Sequence, residues 1–537
     1  MIFLFRKHIS SLMFLSLGFL FLILLAKNPY SDRNLIANLE PFPDAQYYTT
    51  TPRCFLNGQS WKMCRLYNSE FEGVKATVPP AYSIAILPAY IFNFDVRTFY
   101  FVNIVLALIS LFLLYKVSNN FFKNKVITGV ILLFYVTNYY IYWYPTLAMA
   151  ENLFLPLFLA SILVLQNKIS KKNSFLVGLL SAGFYATKYA YAPLTIVFPI
   201  IYFIKIFLTK KSINEKLTHS LSMTIPAGLI LSSLVGISRL LSVFNEVSNG
   251  AINSNSSTRV TSGGGYFSIS YFSEHLKTYS GSLFGKSQRF LWEYTPLVEK
   301  WIALPGLWGL LVTFKNSKLK LAKMYLIISV LAQLLFISTF YVVDIRYVYH
   351  FLPILLLGFG FFLKFLSETI FKNKKIFTSF ITIILIIYLG SNAMRLKSVV
   401  MINLKYAETP WWYLSQLKMN EYFVTQDSAN KPFLITLASP FLSDNYSNQN
   451  YSVLPLDAQQ DFRGNMPEVW GPNNYENLLD LYEEKIIQGN GVYITNYGVS
   501  ATGHFKQSYK NIEERFIFNQ VSTGCYDLCN IYKLELK

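Results

Sequence analysis

The chain has 537 residues, of which 53% are hydrophobic and only 14% are charged. Soluble proteins carry about 25% charged residues, so a soluble globule of this length would lack the charges that cover its surface. The formal net charge of +18 would point to nucleic acid if the protein were soluble. Here, however, the basic residues fall in short clusters between apolar stretches, as in a membrane protein with basic cytoplasmic loops.

Eleven apolar stretches predict membrane-spanning helices. The first follows MIFLFRKHIS, and no small-residue cleavage site comes after it, which favours an uncleaved first span over a signal peptide. A shorter apolar segment, 82–94, follows two prolines and predicts an interfacial or re-entrant helix. The predicted spans are 9–26, 97–116, 126–144, 152–167, 174–187, 191–208, 221–243, 302–314, 324–343, 350–370 and 376–394.

Six basic clusters determine the predicted orientation. All six fall on one side when the spans alternate, and basic loops stay in the cytoplasm. The clusters are Arg6-Lys7, Lys123/Lys125, Lys168/Lys171/Lys172, Lys210/Lys211/Lys216, Lys315/Lys318/Lys320/Lys323 and Lys372/Lys374/Lys375. We therefore expect a multi-pass protein of the plasma or inner membrane. The segments expected outside the cytoplasm are 27–82, 145–151, 188–191, 245–301, 344–349 and everything after about 394.

The chain divides into two predicted parts. Residues 1–394 form the membrane module, with outer loops 27–82 and 245–301, and the Ser, Asn and Gly residues of SNSSTRVTSGGGYF predict a mobile segment in the second loop. In residues 395–537, apolar runs shorten to strand length at 432–437, 491–497 and 515–521, and 474–488 has the period of an amphipathic helix. This predicts a polytopic α-helical membrane protein with a C-terminal extracytoplasmic α/β domain.

The four cysteines lie in two close pairs, Cys54 with Cys64 and Cys525 with Cys529. Both pairs belong to segments expected outside the cytoplasm, where each could form a disulfide. Four free thiols, or one zinc site built from all four, are the alternatives.

Two acidic residues are predicted at the outer membrane face. Asp44, in EPFPDAQYY, suits a general base or metal ligand, or the N-cap of a short helix. Glu151 begins ENLFLPLFL, where an outer loop enters a span, and it is the only acid between Asp95 and Glu215. An ionisable residue at such a position indicates function. The alternative is that Glu151 stabilises a helix N-terminus, which Asn152 could cap equally well.

Two basic residues are predicted at the same face. Lys188, in GFYATKYAYAPL, runs against the charge bias of the outer side, which phosphate binding or a snorkelling side chain would explain. Arg346, in VVDIRYVYHFLP, could bind a phosphate with both arms of its guanidinium group, or pair with Asp344. His350 is more typical of a core residue. Two acids and two cations beside lipid suit a reaction on a membrane-anchored anionic substrate.

The sequence resembles the GT-C class of glycosyltransferases, near the protein O-mannosyltransferases and aminoarabinose transferases of the family-39 type. Five segments spread over much of residues 40–365 carry the resemblance: PDAQYY, VPPAYSIAILPAYIF, AENLFLPLFLASILVL, GLLSAGFYATKYAYAPL and RYVYHFLPILLLG. The sequence departs from the family pattern at two positions, which bear on the class of acceptor and on the details of donor binding. Ala45 follows Asp44 where many relatives have Glu, and Val78 precedes the two prolines where many have Lys.

The resemblance implies an enzyme that takes a sugar from a polyprenyl-phosphate-linked donor. Asp44 matches the first-loop catalytic acid and Glu151 the second-loop acid, while Arg346 and Lys188 match positions near the carrier phosphate. The resemblance does not decide whether a divalent metal is a cofactor, or whether the acceptor is a protein, a lipid or a glycan. Membrane lipids are expected partners, and nucleic acid is not. The residues expected to contact substrate are Tyr47, Tyr48, Asn152 and Tyr347.

Two other classes of function stay open. A polymerase or ligase of lipid-linked glycans would place its cations in the 245–301 loop. A transporter or flippase for lipid-linked sugars would carry charges within its spans and show matching halves. In this chain the charges concentrate at the outer ends of spans, which favours the transferase. The basic residues of the loop are Arg259, His275, Lys277, Lys286 and Arg289.

Overall fold

The structure is a computed structural model. It describes residues 2–30, 44–59, 61, 63–64, 74–75, 78–249, 267–283, 297–312, 319–340, 343–371, 373–404, 422–423, 425, 431–436, 451–456, 475–496, 504–522 and 530–537. Nearly all of the segment predicted to be mobile lies outside these residues, and so do Cys525 and Cys529.

Fifteen helices lie in the described part of residues 2–404. They are α1 (Ile2–Leu25), α2 (Asp44–Leu56), α3 (Ala81–Phe92), α4 (Phe99–Phe122), α5 (Lys125–Val136), α6 (Tyr139–Trp143), α7 (Glu151–Gln166), α8 (Lys171–Thr187), α9 (Ala192–Phe207), α10 (Ile213–Asn249), α11 (Phe272–Leu283), α12 (Lys300–Leu311), α13 (Lys320–Ser338), α14 (Phe351–Thr369) and α15 (Lys374–Leu404).

The protein is a multi-pass membrane protein. In the described residues, five helices are long and apolar enough to cross a bilayer, or six if one bent pair is counted as a single span. A helix lies at each of the eleven predicted stretches, but several are short, so the number of spans stays a prediction. The apolar faces of these helices carry exposed side chains such as Ile196, Ile200 and Phe203 on α9, as lipid contact requires.

The predicted span 126–144 is not one straight helix. Its two halves, Lys125–Val136 and Tyr139–Thr146, are bent by 58° relative to each other. The break has a local cause: Asn138 has extended backbone, and its side chain accepts a hydrogen bond from the Tyr140 N–H, which caps the second half. The sequence prediction missed the break because the length of an apolar run does not show where a single capping side chain, here Asn138, begins a new helix.

Helices α12 and α14 pack with their backbones in contact. A Cβ atom at Gly309 would lie 2.1 Å from the carbonyl oxygen of Gly358, and one at Gly358 would lie 2.2 Å from that of Gly306. Small residues at a membrane helix interface allow this close approach, and van der Waals packing then holds the helices together. Gly306 and Gly309 on α12 and Gly358 on α14 therefore form a specific interface.

Several lysines hydrogen-bond to carbonyl oxygens where neighbouring helices end, and three of them are examples from the membrane module. These carbonyls have no partner within their own helix and carry partial negative charge, so a lysine ammonium group stabilises them. These three lysines lie on the predicted cytoplasmic side, and two of them, on α9 and α14, stand outside the six predicted clusters. The pairs are Lys205 with Leu165 and Asn167, Lys323 with Val312, and Lys364 with Phe121.

Between α1 and α4, the described residues contain helices α2 and α3 and a short antiparallel pair, β1 (Met63–Cys64) and β2 (Val74–Lys75). Helix α3 coincides with the predicted interfacial helix. Helix α2 packs on it through an edge-to-face contact of the Tyr48 and Tyr82 rings, and the Ser83 hydroxyl donates to the Tyr48 carbonyl oxygen at 3.1 Å. Cys54, on α2, is disulfide-bonded to a cysteine whose side chain is not described, so its pairing with Cys64 stays a prediction.

The C-terminal part contains a five-stranded mixed sheet. The strands are β3 (Phe433–Thr436), β4 (Ser452–Pro455), β5 (Val492–Thr495), β6 (Phe516–Ser522) and β7 (Ile531–Leu536), in the order β4-β3-β5-β7-β6. The first three are parallel, and β7 and β6 are antiparallel to their neighbours. Helices α16 (Tyr475–Ile487) and α17 (His504–Arg515) cover the core with Leu478, Tyr482 and Ile512. Strands β3, β5 and β6 lie at the three predicted strand segments, whereas β4 and β7 were not predicted. The domain boundary at 394 stays a prediction.

Candidate functional site

Four charged side chains from distant parts of the membrane module meet at helix ends. The Lys188 Nζ lies 2.7 Å from Glu151 Oε1 and 3.3 Å from Asp44 Oδ2. Arg346 Nη1 lies 3.8 Å from the same oxygen of Asp44. We call Asp44, Glu151, Lys188 and Arg346 the charged cluster. Asp44 is its most accessible member, with a side chain 26% exposed against 0% for Glu151.

Glu151 is the first residue of α7, and its carboxylate is fully buried. One oxygen binds the Lys188 ammonium group, whereas Oε2 has no hydrogen-bond partner in the described structure. The helix dipole favours an acid at this position, so the helix-terminus interpretation is compatible with the structure. That interpretation does not explain a buried carboxylate oxygen left without a donor, because such an oxygen costs free energy.

Lys188 follows the last residue of α8 in an extended conformation. Its ammonium group faces the two carboxylates and lies 5.0 Å from the centre of the Tyr347 ring, while the whole residue is only 7% exposed. A snorkelling lysine would direct its charge to the aqueous interface. Lys188 instead serves as the cation of a buried ion-pair network.

Arg346 lies in a 3₁₀ turn, Ile345–Val348, immediately before α14. Asp344 caps this turn by accepting from the Arg346 N–H at 2.9 Å, and its carboxylate also forms an ion pair with the guanidinium group. Burial alone would raise the pKa of Asp344, but the adjacent Arg346 outweighs it and holds that pKa below its ordinary value. The guanidinium group keeps one nitrogen, Nη1, without a hydrogen-bond acceptor among the described residues.

The predicted substrate contacts divide into two groups. Tyr47, Tyr48 and Tyr347 are buried, and Tyr48 and Tyr347 lie close to the cluster. Burial, together with the nearby Asp44 and Glu151, raises the pKa of Tyr48, so this phenol stays protonated and able to donate. Its hydroxyl has no partner in the described structure. The Asn152 amide NH₂ is committed within the protein, because it donates to the carbonyl oxygens of Tyr144 and Leu147 at 2.9 and 3.1 Å.

Sequence reasoning missed two residues that support the cluster. Gln333, fully buried on α13, donates to the carbonyl oxygens of Ala190 at 2.9 Å and Tyr347 at 3.3 Å. Tyr279, on α11, accepts from the Asp344 N–H through its hydroxyl at 3.2 Å. Gln333 could have been predicted from the sequence, because a glutamine within an apolar span requires hydrogen-bond partners. Tyr279 could not have been predicted in this way. His350 is a core residue, enclosed by the rings of Phe154 and Phe158.

The charged cluster does not make a metal site. The Lys188 ammonium group lies between the two carboxylates that would have to bind a cation, and it supplies the positive charge there. Among the described side chains, no group of three or more His, Cys, Asp or Glu residues is arranged to hold a metal ion.

Comparison with solved structures identifies the fold. The chain is similar to ArnT from Cupriavidus metallidurans bound to undecaprenyl phosphate, with 9% identity, a TM-score of 0.59 and 98% of both chains covered. Its similarity to the apo state of ArnT has a TM-score of 0.59 with 11% identity over 97% of both chains. The chain is also similar to an Archaeoglobus fulgidus oligosaccharyltransferase tethered with an acceptor peptide, with 12% identity and a TM-score of 0.49. This similarity covers 99% of this chain and 74% of that one. No conclusion is drawn from it.

The chain therefore has the GT-C fold of polytopic membrane glycosyltransferases, which confirms the resemblance predicted from the sequence. No protein-family profile and no curated protein sequence matches it. At such low identities the structural similarity defines the fold, and the activity has to be inferred from the site.

Proposed function

We propose that this protein is a membrane glycosyltransferase that moves a sugar from a polyprenyl-phosphate-linked donor to an acceptor hydroxyl outside the cytoplasm. The charged cluster carries the proposal, because it combines a reachable carboxylate with two cations at one point. The GT-C fold, shared with a protein solved with undecaprenyl phosphate bound, supports a lipid phosphate as the anionic ligand.

In the proposed reaction, the acceptor oxygen attacks C1 of the sugar while Asp44 takes the proton of that hydroxyl. The bond between C1 and the phosphate oxygen breaks, and its electron pair stays on the phosphate. A single displacement inverts the configuration at C1. General-base assistance of this kind contributes roughly 10²–10⁴-fold to the rate. Asp44 suits the role because it is the most exposed carboxylate of the charged cluster.

The two cations stabilise the charge that develops on the leaving phosphate. Arg346 Nη1 has no hydrogen-bond acceptor among the described residues, so it would donate to an incoming phosphate oxygen. Lys188 Nζ approaches the same oxygen of Asp44 as Nη1 does. Glu151 holds Lys188 in place and offers Oε2 to a hydroxyl of the substrate. These roles use protein groups alone.

The central test replaces Asp44 with Asn and measures transfer of labelled sugar from polyprenyl-phosphate donors to a panel of protein, lipid and glycan acceptors in membranes. We expect D44N to lose about 10²–10⁴-fold of the wild-type rate. Asp95→Asn is the matched control, because Asp95 is also ion-paired with an arginine, Arg97, and its side chain is 30% exposed, close to the value for Asp44.

Normal transfer by a well-folded D44N protein would remove Asp44 from the mechanism. If wild-type protein moves the lipid-linked sugar across vesicles with its phosphate bond intact, the protein is a flippase. Retention of configuration at C1, read from the NMR spectrum of the product, would exclude the single displacement.

A further inference from the structure

We infer that Gln333 is a positioning residue that sets the separation of the two cations in the charged cluster. This inference rests on the proposed function. Lys188 and Arg346 come from different parts of the chain. Lys188 immediately precedes one 3₁₀ turn, Tyr189–Tyr191, and Arg346 lies within another, Ile345–Val348. The Gln333 amide donates one hydrogen bond to each turn, at Ala190 and at Tyr347.

The chemistry of this bridge requires an amide. Both partners are carbonyl oxygens, which only accept hydrogen bonds, so residue 333 must supply two donors from one side-chain atom. The NH₂ group of glutamine does so without adding charge. A glutamate carboxylate only accepts hydrogen bonds, so it would repel the two carbonyl oxygens. A methionine of similar length would remove the hydrogen bond to each carbonyl in an apolar environment.

The bridge acts on the geometry that phosphate recognition needs. Lys188 Nζ and Arg346 Nη1 both approach Asp44 Oδ2, at 3.3 and 3.8 Å. Each turn is also fixed on its own, one by the buried contact of Lys188 with Glu151 and the other by the Asp344 cap. The two turns also touch directly, because the Tyr191 hydroxyl donates to the Arg346 carbonyl oxygen at 3.4 Å. Gln333 adds a hydrogen bond to each turn from a single amide group. Displacing catalytic groups by about 1 Å can cost up to roughly 10²-fold in rate, so a loose bridge would reduce charge stabilisation even with both cations present.

The test compares binding of undecaprenyl phosphate and of undecaprenol, which lacks the phosphate, to the full-length protein in detergent or nanodiscs. We expect Gln333→Met to weaken binding of the phosphate lipid about 10-fold and to leave undecaprenol binding unchanged. Gln333→Asn, which keeps the amide but is one methylene shorter, should give an intermediate loss.

Gln166→Met is the matched control. Gln166 also links two helices, through the Val117 carbonyl oxygen at 3.1 Å and the Asn120 amide at 3.0 Å. It is partly buried and lies at the opposite end of α7 from Glu151. We expect this variant to lose thermal stability without changing the ratio of the two lipid affinities.

The outcomes separate the two proposals. If wild-type protein does not prefer undecaprenyl phosphate to undecaprenol, the proposed function fails. If wild-type protein has the preference and a folded Gln333→Met keeps it undiminished, the positioning role fails while the proposed function stands. Equal weakening of both lipids by Gln333→Met would mark a purely structural residue and would also overturn the inference.

Discussion

The carboxylate of Glu151 is fully buried, and its ion pair among the described residues is with Lys188. Such a buried pair contributes little net stability, because bringing both charges out of water costs nearly as much as their attraction returns. Losing one partner is a different matter, since the remaining charge stays buried and unpaired. Single substitutions at this pair therefore report on electrostatics inside the site.

We expect Lys188→Met to lower the free energy of unfolding by about 3–5 kcal/mol, measured by thermal unfolding in detergent. Glu151→Gln combined with Lys188→Met should recover most of that loss, because the double variant leaves no buried charge unpaired. Equal destabilisation by the single and double variants would show that Lys188 contributes through packing, and not through its charge.

The residues of the charged cluster were predictable because they are charged residues next to apolar spans. Which of them form ion pairs with each other was not predictable. Glu151 and Lys188 stand out as charges beside apolar spans. Their direct contact across 37 residues depends on how α7 and α8 pack, which no local pattern specifies. Asp44 was ambiguous between a helix cap and a catalytic base, and it is in fact the first residue of α2 as well as a member of the cluster.

The positions of the membrane helices can be predicted from the length of apolar runs. In lipid a segment must form all its backbone hydrogen bonds internally, and a helix does so. The same rule cannot locate breaks or interfaces. The bend after Val136 and the lysines that bind helix ends depend on single polar side chains. Strands β3, β5 and β6 were predictable from short apolar runs. Strands β4 and β7 were missed because neither has a continuous apolar run: β4 reads SVLP, and Lys533 and Glu535 interrupt β7.

The interface of α12 with α14 gives a prediction at the scale of elements. We expect Gly309→Ala to destabilise the protein by about 1–3 kcal/mol, because the added Cβ would overlap the Gly358 carbonyl and force the helices apart. The control is Gly228→Ala in α10, where nothing lies within 4 Å of the new atom. That change should be neutral or mildly stabilising, since alanine favours helix over glycine. Thermal unfolding of both variants provides the measurement, and equal effects would contradict a close-packed interface.

For the whole molecule, the charge bias makes a prediction about topology. The basic clusters place the N-terminus in the cytoplasm. An odd number of spans then places the C-terminal domain outside, whereas an even number would place both ends of the chain in the cytoplasm. We expect an impermeant thiol reagent to label a cysteine introduced at Lys506 in intact cells. A cysteine at Lys210 should react only after the cells are opened. Labelling of both in intact cells would refute the predicted alternation.

The crosslink at Cys54 affects how this protein should be made. Helix α2 carries Asp44 at its first residue and the disulfide-bonded Cys54 near its last turn. Expression that bypasses the oxidising side of the membrane, or purification with thiol reductants, would release the tether on the helix that presents the proposed base. Preparations judged inactive under reducing conditions should therefore be repeated without reductant before any loss of turnover is assigned to a substitution.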